Sequence, residues 1–255
     1  MNEKELKRAW QMIEQIEFKG WDFSYMENRW RQEKLPWSYS MLVHNYLSKE
    51  MELLDMGTGG GELLLTFEHP YPKTSVTEGW EPNYLLLKER LQPLGVTITF
   101  VDESDQLAFQ NDSFDMVLNS HESYDPSEVS RVLKPGGIFI TQQVGDQNGR
   151  LLSERLLMTS LPKEAEWSLQ AARKALLEEK FQILFAEEYF PYQDFYDMEG
   201  LIYYMRRIPW EYPNFCVETY FEQLLLLQDE LLDKGFIHNQ QHRFILVGKL
   251  EKEYN

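Results

Sequence analysis

A glycine-rich segment of this sequence has the composition of a ligand-binding loop. Glycines stand at positions 57, 59, 60 and 61, directly after an apolar run that ends in Asp55 and Met56. Glycine tolerates positive φ angles and lets a ligand come close to the backbone. Helix-forming residues follow at once, and the order strand, glycine loop, helix is typical of nucleotide sites in α/β domains. The segment therefore predicts a site for a nucleotide-type ligand, with a simple tight turn as the alternative.

Acidic residues end the first two predicted strands. Ligands of open α/β sheets lie at the carboxyl ends of the strands, so Asp55 would either orient a ligand ammonium or brace the glycine loop. Glu78 lies 21 residues after Gly57, where a carboxylate can accept hydrogen bonds from ribose hydroxyls. Glu81 competes for this role but fits a helix N-terminus better. Trp80 is expected to pack either near the base of the ligand or in the core.

A candidate catalytic group follows the fourth predicted strand, in the sequence Asn119-Ser120-His121-Glu122. Asn119 closes the strand and is predicted to contact the ligand. The unperturbed pKa of histidine lies near neutrality, which makes His121 the best candidate for a general base, with Glu122 beside it. The alternative is a structural histidine that is hydrogen-bonded to Glu122.

Alternating strand and helix patterns between residues 51 and 145 predict a parallel sheet with helices on both faces. The predicted strands there are Leu53–Met56, Ser75–Glu78, Val96–Val101, Phe114–Asn119 and Gly137–Val144. The predicted helices are Gly61–Glu68, Pro82–Leu91 and Pro126–Leu133. Outside this region the patterns predict helices at 2–18, 40–47, 163–180, 198–207 and 217–234, and strands at Phe181–Phe190 and Arg243–Leu250.

These elements predict a Rossmann-like α/β fold with a seven-stranded, mostly parallel sheet. The whole chain, residues 1–255, is expected to form one domain. Residues 1–50 would form an N-terminal helical and aromatic segment, residues 51–145 the ligand-binding core, and residues 146–255 a C-terminal half. A helical insertion is expected before the last strand, at about 191–240.

The composition argues against several classes of partner. The chain has 42 acidic and 25 basic residues and a formal net charge of −17, whereas nucleic-acid binding needs Lys and Arg on the contact face. Cys216 is the only cysteine, so no thiolate metal cluster can form, and no metal site is expected at His238 and His242. The N-terminus lacks the apolar core of a signal peptide, and no run approaches the ~20 apolar residues of a membrane helix. We therefore expect a cytoplasmic protein without nucleic-acid or membrane partners.

The spacing of the glycines resembles that of a known enzyme family. From Asp55 to Gly61 the sequence has the pattern D-x-G-x-G-x-G, which resembles motif I of the class I S-adenosylmethionine (SAM)-dependent methyltransferases. The segments SFD at 113–115 and RVLKPGG at 131–137 are similar to this family as well, in the same order along the chain. An NAD-dependent dehydrogenase is disfavoured, because its fingerprint needs a glycine where Glu62 stands.

The resemblance implies SAM as the cofactor and assigns further contacts to it. An acidic and a small residue after the third strand would meet the adenine, which implies Glu103 and Ser104, with Asp102 and Asp105 as alternatives in the register. The predicted cofactor-binding residues are then Asp55, Gly57, Gly59, Gly61, Glu78, Trp80, Glu103, Ser104 and Asn119.

The predicted function is methyl transfer from SAM to a small-molecule acceptor. The alternative is a SAM-binding regulatory or interaction protein without turnover, which release of S-adenosylhomocysteine would distinguish from an enzyme. The resemblance implies no particular acceptor, and the sequence leaves the oligomeric state open.

Overall fold

The computed structural model describes residues 2–17, 23–102, 105–158 and 167–251. The strands in these ranges are β1 (Trp30–Gln32), β2 (Leu53–Met56), β3 (Thr74–Glu78), β4 (Thr97–Phe100), β5 (Phe114–Ser120), β6 (Leu133–Val144), β7 (Phe181–Tyr189), β8 (Tyr192–Phe195), β9 (Ile237–Gln240) and β10 (Arg243–Leu250). The helices are α1 (Glu3–Glu14), α2 (Tyr39–Tyr46), α3 (Glu62–Leu65), α4 (Glu81–Arg90), α5 (Pro126–Val132), α6 (Arg150–Leu157), α7 (Leu169–Glu178), α8 (Met198–Arg207) and α9 (Phe221–Lys234).

The described residues divide into two compact units, each assembled from three stretches of sequence. The seven-stranded unit comprises 36–145, 166–188 and the chain from 243 onward. The three-stranded unit comprises the chain up to 35, with 146–165 and 189–242.

The seven-stranded unit has the predicted α/β architecture. Its strand order is β4-β3-β2-β5-β6-β10-β7. Neighbouring strands from β4 to β6 run parallel, while β10 pairs antiparallel with β6. Helices α2, α4, α5 and α7 pack against strands of this sheet. The Rossmann-like fold with a seven-stranded, mostly parallel sheet is therefore confirmed.

Central strands of this sheet are apolar and buried because helices cover a parallel sheet on its faces. All four residues of β2 are buried, and so are the consecutive apolar residues at the middle of β5 and β6. Burial of such side chains contributes roughly 1.5–3 kcal/mol each. The rigid sheet therefore fixes the positions of the loops that leave its carboxyl edge.

The three-stranded unit was only partly predicted. Helix α8 has the expected bounds, and nearly all of its residues are buried. The insertion expected to be helical, at about 191–240, also contributes β8 and β9, which pair antiparallel with each other and, through β8, with β1. Helix α6 was not predicted either. The strands of this sheet have only three or four residues each, too few to show an alternating pattern.

Local sequence signals set several helix ends. The Asp197 side chain accepts a hydrogen bond from the Gly200 amide and caps α8, while Gly235 ends α9 with a φ of 81°. Within the described part of the chain, no helix is long and apolar enough to cross a membrane. The same ranges contain no cluster of three His, Cys, Asp or Glu side chains that could hold a metal ion.

Candidate cofactor-binding site

The strand order of the seven-stranded unit reverses at β2 and leaves a crevice at the carboxyl edge. Strands β3 and β4 lie on one side of β2, while β5 and β6 lie on the other. Ligands of open α/β sheets bind at such a reversal. A cleft of about 630 Å³ opens here. It is lined by Met56, Gly57, Thr77, Gly79, Phe100, Val101, Asp102, Asp105, Glu122 and Ser123.

The loop after β2 needs glycine for its backbone conformation. The φ angles are 61° at Gly57, 62° at Gly59 and 81° at Gly61, a region that residues with a Cβ rarely adopt. A Cβ on Gly57 would come within 2.5 Å of the Glu122 side chain. A Cβ on Gly59 would meet no atom within 4 Å. The Gly59 backbone therefore borders open space that a ligand can enter.

The Glu78 carboxylate ties the end of β3 to the glycine loop. Its Oε2 accepts a hydrogen bond from the Gly59 amide at 2.9 Å, and its Oε1 accepts one from the Trp80 amide at 2.9 Å. Glu78 is buried, whereas Glu81 is exposed and begins α4. The Trp80 side chain is 50% exposed, so it is not part of the core. The strand thus ends at Glu78, as predicted.

Asp55 lies beneath the loop rather than on the wall of the cleft. Its Oδ2 accepts a hydrogen bond from the Thr58 hydroxyl at 2.6 Å. Burial raises the pKa of this carboxyl to about 7, although the Thr58 bond opposes the shift. Burial, together with the charge of Asp55, also raises the pKa of Tyr39. In this structure Asp55 therefore braces the loop, the second of its two expected roles.

Asn119 is fully buried at the end of β5 and belongs to a polar network. Its Oδ1 accepts hydrogen bonds from the Thr141 hydroxyl at 3.1 Å and from Gln143 Nε2 at 2.6 Å. Gln143 Nε2 also donates to the Glu122 carbonyl oxygen at 3.0 Å. Asn119 does not line the cleft. Its network instead supports the loop that carries His121 and Glu122.

His121 adopts a left-handed backbone conformation with a φ of 68°, and its amide donates to the Gln142 carbonyl oxygen at 2.8 Å. The indole N–H of Trp37 donates to Gln142 Oε1, which leaves Gln142 Nε2 facing His121 Nε2 at 3.3 Å. An amide nitrogen donates, so His121 Nε2 is the acceptor in this contact. His121 thus already uses one ring nitrogen within the protein.

The pKa of the His121 ring is lowered to about 4, first by desolvation and second by the positive charge of Arg243. The residue as a whole is exposed to solvent, so water screens much of this effect without changing its direction. The imidazole is mainly neutral at pH 7 with either the lowered or the ordinary pKa. It is also a weak base, which makes it a poor proton acceptor for catalysis.

The loop between β4 and β5 is held by a single arginine of α5. Arg131 donates to the Leu107 carbonyl oxygen at 2.8 Å and to the Phe109 carbonyl oxygen at 2.7 Å. It also pairs with Glu128, whose Oε2 accepts from the Leu107 amide. The RVLKPGG segment therefore begins with a residue that anchors this loop. Glu103 and Ser104 lie outside the described residues.

The charged residues of the cleft lining, in the part of the chain described, are Asp102, Asp105 and Glu122. Burial raises the pKa of Glu122, and the negative charges of Glu78 and Asp105 raise it further. SAM carries an ammonium and a sulfonium, and negative charge attracts such groups. The acidic lining, the open space at Gly59 and the two-oxygen acceptor at Glu78 therefore fit this cofactor.

Several cleft residues were not predicted from the sequence. Thr77 accepts a hydrogen bond from the Gly57 amide at 3.3 Å through its hydroxyl, and Phe100 and Val101 form the wall where β4 ends. Gly79 has no room for a side chain, since a Cβ would lie 3.0 Å from the Val101 carbonyl oxygen. The position of each residue at a strand end was the signal that could have found it.

Comparisons with known proteins agree with this fold. Residues 54–141 match the family model of a methyltransferase domain. A putative methyltransferase from Bacillus halodurans C-125 has 16% identity and a TM-score of 0.56 over 84% of this chain and 99% of its own. The YcgJ protein from Bacillus subtilis has 16% identity and a TM-score of 0.54 over 84% and 98%. A SAM-dependent methyltransferase from Methanosarcina mazei has 17% identity and a TM-score of 0.50 over 87% and 100%. A search of curated proteins gives no match.

Proposed function

We propose that the chain is a SAM-dependent methyltransferase, which transfers a methyl group from SAM to a small-molecule acceptor. The match of residues 54–141 to the family model of a methyltransferase domain, and the fold shared with a putative methyltransferase, support this proposal. The cleft at the carboxyl edge of β2 and β5 is the observation that supports this most directly. The glycine loop borders it at Gly57, one wall is acidic, and the Glu78 carboxylate adjoins it through its hydrogen bond to the Gly59 amide.

The residues of the cleft, of the adjoining glycine loop and of the neighbouring strand ends have distinct roles in this proposal. Gly59 provides a backbone surface against which the cofactor lies, because its own side-chain direction is open. Glu78 would accept hydrogen bonds from the ribose hydroxyls while it keeps the loop in place. Asp102 and Asp105, which line the cleft, and the exposed Trp80 are the proposed neighbours of the adenine. Asp55 supports the loop from below through Thr58.

SAM supplies an activated methyl group on a positively charged sulfur. The protein then has mainly to hold the acceptor in line with that methyl group, and orientation alone can contribute about 7–11 kcal/mol. A side-chain base is needed only if the acceptor must lose a proton. The lowered pKa of His121 and its contact with Gln142 favour a structural role for this residue. Glu122 is the better proton acceptor, because its pKa is raised towards neutral pH.

Two measurements test the proposal. Calorimetric titration should give binding of SAM and of S-adenosylhomocysteine but not of NAD; binding of NAD without SAM would overturn the cofactor assignment. Incubation with SAM and pooled metabolites should then release S-adenosylhomocysteine from the wild-type protein and not from a Gly59→Val variant. If SAM binds but no pool supports release, the alternative of a SAM-binding regulatory protein is favoured.

A further inference from the structure

Glu122 packs directly on the glycine loop. A Cβ built on Gly57 would lie 2.5 Å from Cβ, Cγ and Oε2 of Glu122, so glycine at position 57 makes room for this side chain. Glu122 also lines the cleft with Gly57 and Thr77. The carboxylate is therefore part of the wall that the cofactor faces.

The surroundings of Glu122 favour the approach of a positive charge. The charged groups that act on it are Glu78 and Asp105, and both are acidic. Burial is the main cause that raises the pKa of Glu122, and these two negative charges raise it further against the opposing hydrogen bond from the Ser123 amide. A cationic ligand in the cleft would relieve this repulsion.

Hydrogen bonds from neighbouring side chains hold the main chain at Glu122 in place. Gln143 is buried, and its Nε2 donates to the Glu122 carbonyl oxygen and to Asn119 Oδ1. The following residue, Ser123, donates its hydroxyl hydrogen to Asp105 Oδ1 at 2.9 Å. The Ser123 amide also hydrogen-bonds to the Glu122 carboxylate. The main chain and the carboxylate of Glu122 are therefore both held by protein contacts before any ligand arrives. Such preorganisation increases the effect of a charge on ligand selection.

We propose that Glu122 is a cofactor-selecting residue, whose carboxylate favours the positively charged sulfonium of SAM over the uncharged thioether sulfur of S-adenosylhomocysteine. The inference rests on the proposed function, since it takes SAM as the ligand of this cleft. The two molecules share the adenosine, the ammonium and the carboxylate, and they differ in the methyl group and in the charge on sulfur. A carboxylate on the cleft wall that faces the sulfur would distinguish the two ligands by charge, and it would thereby weaken product inhibition.

Calorimetric titration of three proteins tests the role of Glu122: the wild type, Glu122→Gln, and Glu89→Gln. The Glu89→Gln variant has the same change in net charge as Glu122→Gln. It serves as the control because Glu89 is exposed on α4 and does not line the cleft. We expect Glu122→Gln to raise the Kd of SAM about ten-fold and that of S-adenosylhomocysteine less than two-fold. Glu89→Gln should change neither. In the wild type, added salt should reduce the preference for SAM, because ions screen charge attraction.

The ratio of the two dissociation constants decides the outcome. An equal loss of affinity for both ligands in Glu122→Gln would overturn the inference, since Glu122 would then act on a part that both share. An unchanged SAM affinity would overturn it as well. Thermal unfolding of each variant shows whether the protein is folded. An Asp105→Asn variant, which removes a charge next to Glu122, should also lower the preference for SAM over S-adenosylhomocysteine. Failure of the wild type to bind either ligand would instead refute the proposed function.

Discussion

The amide of Gly59 donates a hydrogen bond of 2.9 Å to the carboxylate of Glu78. This contact joins the loop after β2 to the end of β3, across two neighbouring strands of the sheet. Gly59 has open space beside it, and Glu78 has a second oxygen that accepts from the Trp80 amide. The two residues that we propose to bind the cofactor are thus held together by their own hydrogen bond.

Loss of the Glu78 carboxylate should weaken SAM binding. In Glu78→Gln one of the two acceptor oxygens becomes an amide group that cannot accept, so a ribose contact or the Gly59 bond is lost. A hydrogen bond to a charged group contributes about 1.5–3 kcal/mol, and we expect the Kd of SAM to rise about ten-fold or more. Glu81→Gln, at the exposed start of α4, should change it less than two-fold. Titration calorimetry measures both; the opposite ranking would mean that Glu81 binds the ribose.

A side chain at position 59 should block SAM binding without preventing folding. Gly59 and Gly235 both have positive φ angles, and a Cβ added at either would have no atom within 4 Å. Substitution by Val at either position should therefore cause a similar backbone strain, of the order of 1–2 kcal/mol. Only Gly59→Val should abolish SAM binding, because Gly235 ends α9 in the other unit. If Gly59→Val is folded and binds SAM as the wild type does, the loop is only a tight turn.

The sequence predicted the elements whose boundaries have a local chemical cause. Strand β2 is a short apolar run that ends before glycine, and β10 is an apolar run with polar residues at its start; both have the predicted bounds. The end of β3 at Glu78 was predicted as well. Helix α9 begins at Phe221 rather than at 217, and α3 is only four residues long, because helix ends depend on packing that a periodic pattern does not contain.

The three-stranded sheet shows what the sequence could not predict. Trp30 of β1 pairs with Phe195 of β8, and Ile237 of β9 pairs with the same residue from the other side. These partners are far apart in the chain, and no local pattern reports on such pairing. The same limit applies to the cleft. Strand ends predicted Glu78, but the packing of Glu122 on Gly57 depends on how two separate loops meet.

The buried carboxyl of Asp55 should make the stability of the protein depend on pH. Its pKa is about 7 in the folded state and near 3.8 in an unfolded chain. Between these values the folded state binds more protons, so the free energy of unfolding falls as the pH rises from about 4 to 7. Asp55→Asn keeps an acceptor oxygen for Thr58 but cannot ionise. Urea unfolding should therefore show the variant gaining stability relative to the wild type as the pH rises, by up to a few kcal/mol above pH 7. A difference that does not change between pH 5 and 8 would show that Asp55 stays ionised throughout this range.

Arg131, at the start of the RVLKPGG segment, should stabilise the fold through the hydrogen bonds of its planar guanidinium group. Arg131 makes two hydrogen bonds to Glu128, at 2.6 and 2.7 Å, and two more to the carbonyl oxygens of Leu107 and Phe109. A lysine keeps the charge but cannot match this geometry. We expect Arg131→Lys to lower the free energy of unfolding by about 1–3 kcal/mol, measured in urea at pH 7. Lys174→Ala, which removes an exposed pair with Glu178, should change it by less than about 0.5 kcal/mol.

The pH dependence of the Arg131 variant separates the ion pair from simple packing. The hydrogen bond from Arg131 lowers the pKa of Glu128 in the folded state, so the pair stabilises the protein fully above the ordinary carboxyl pKa. This stabilisation is lost as the pH falls through the lowered pKa. The difference between the wild type and Arg131→Met should therefore be large at pH 7 and shrink in acid. Hydrogen exchange at the Leu107 amide, which donates to Glu128, should be faster in the variant at pH 7. Equal stability differences at pH 7 and pH 3 would mean that Arg131 contributes through its bonds to the Leu107 and Phe109 carbonyl oxygens and through packing, and not through the ion pair with Glu128.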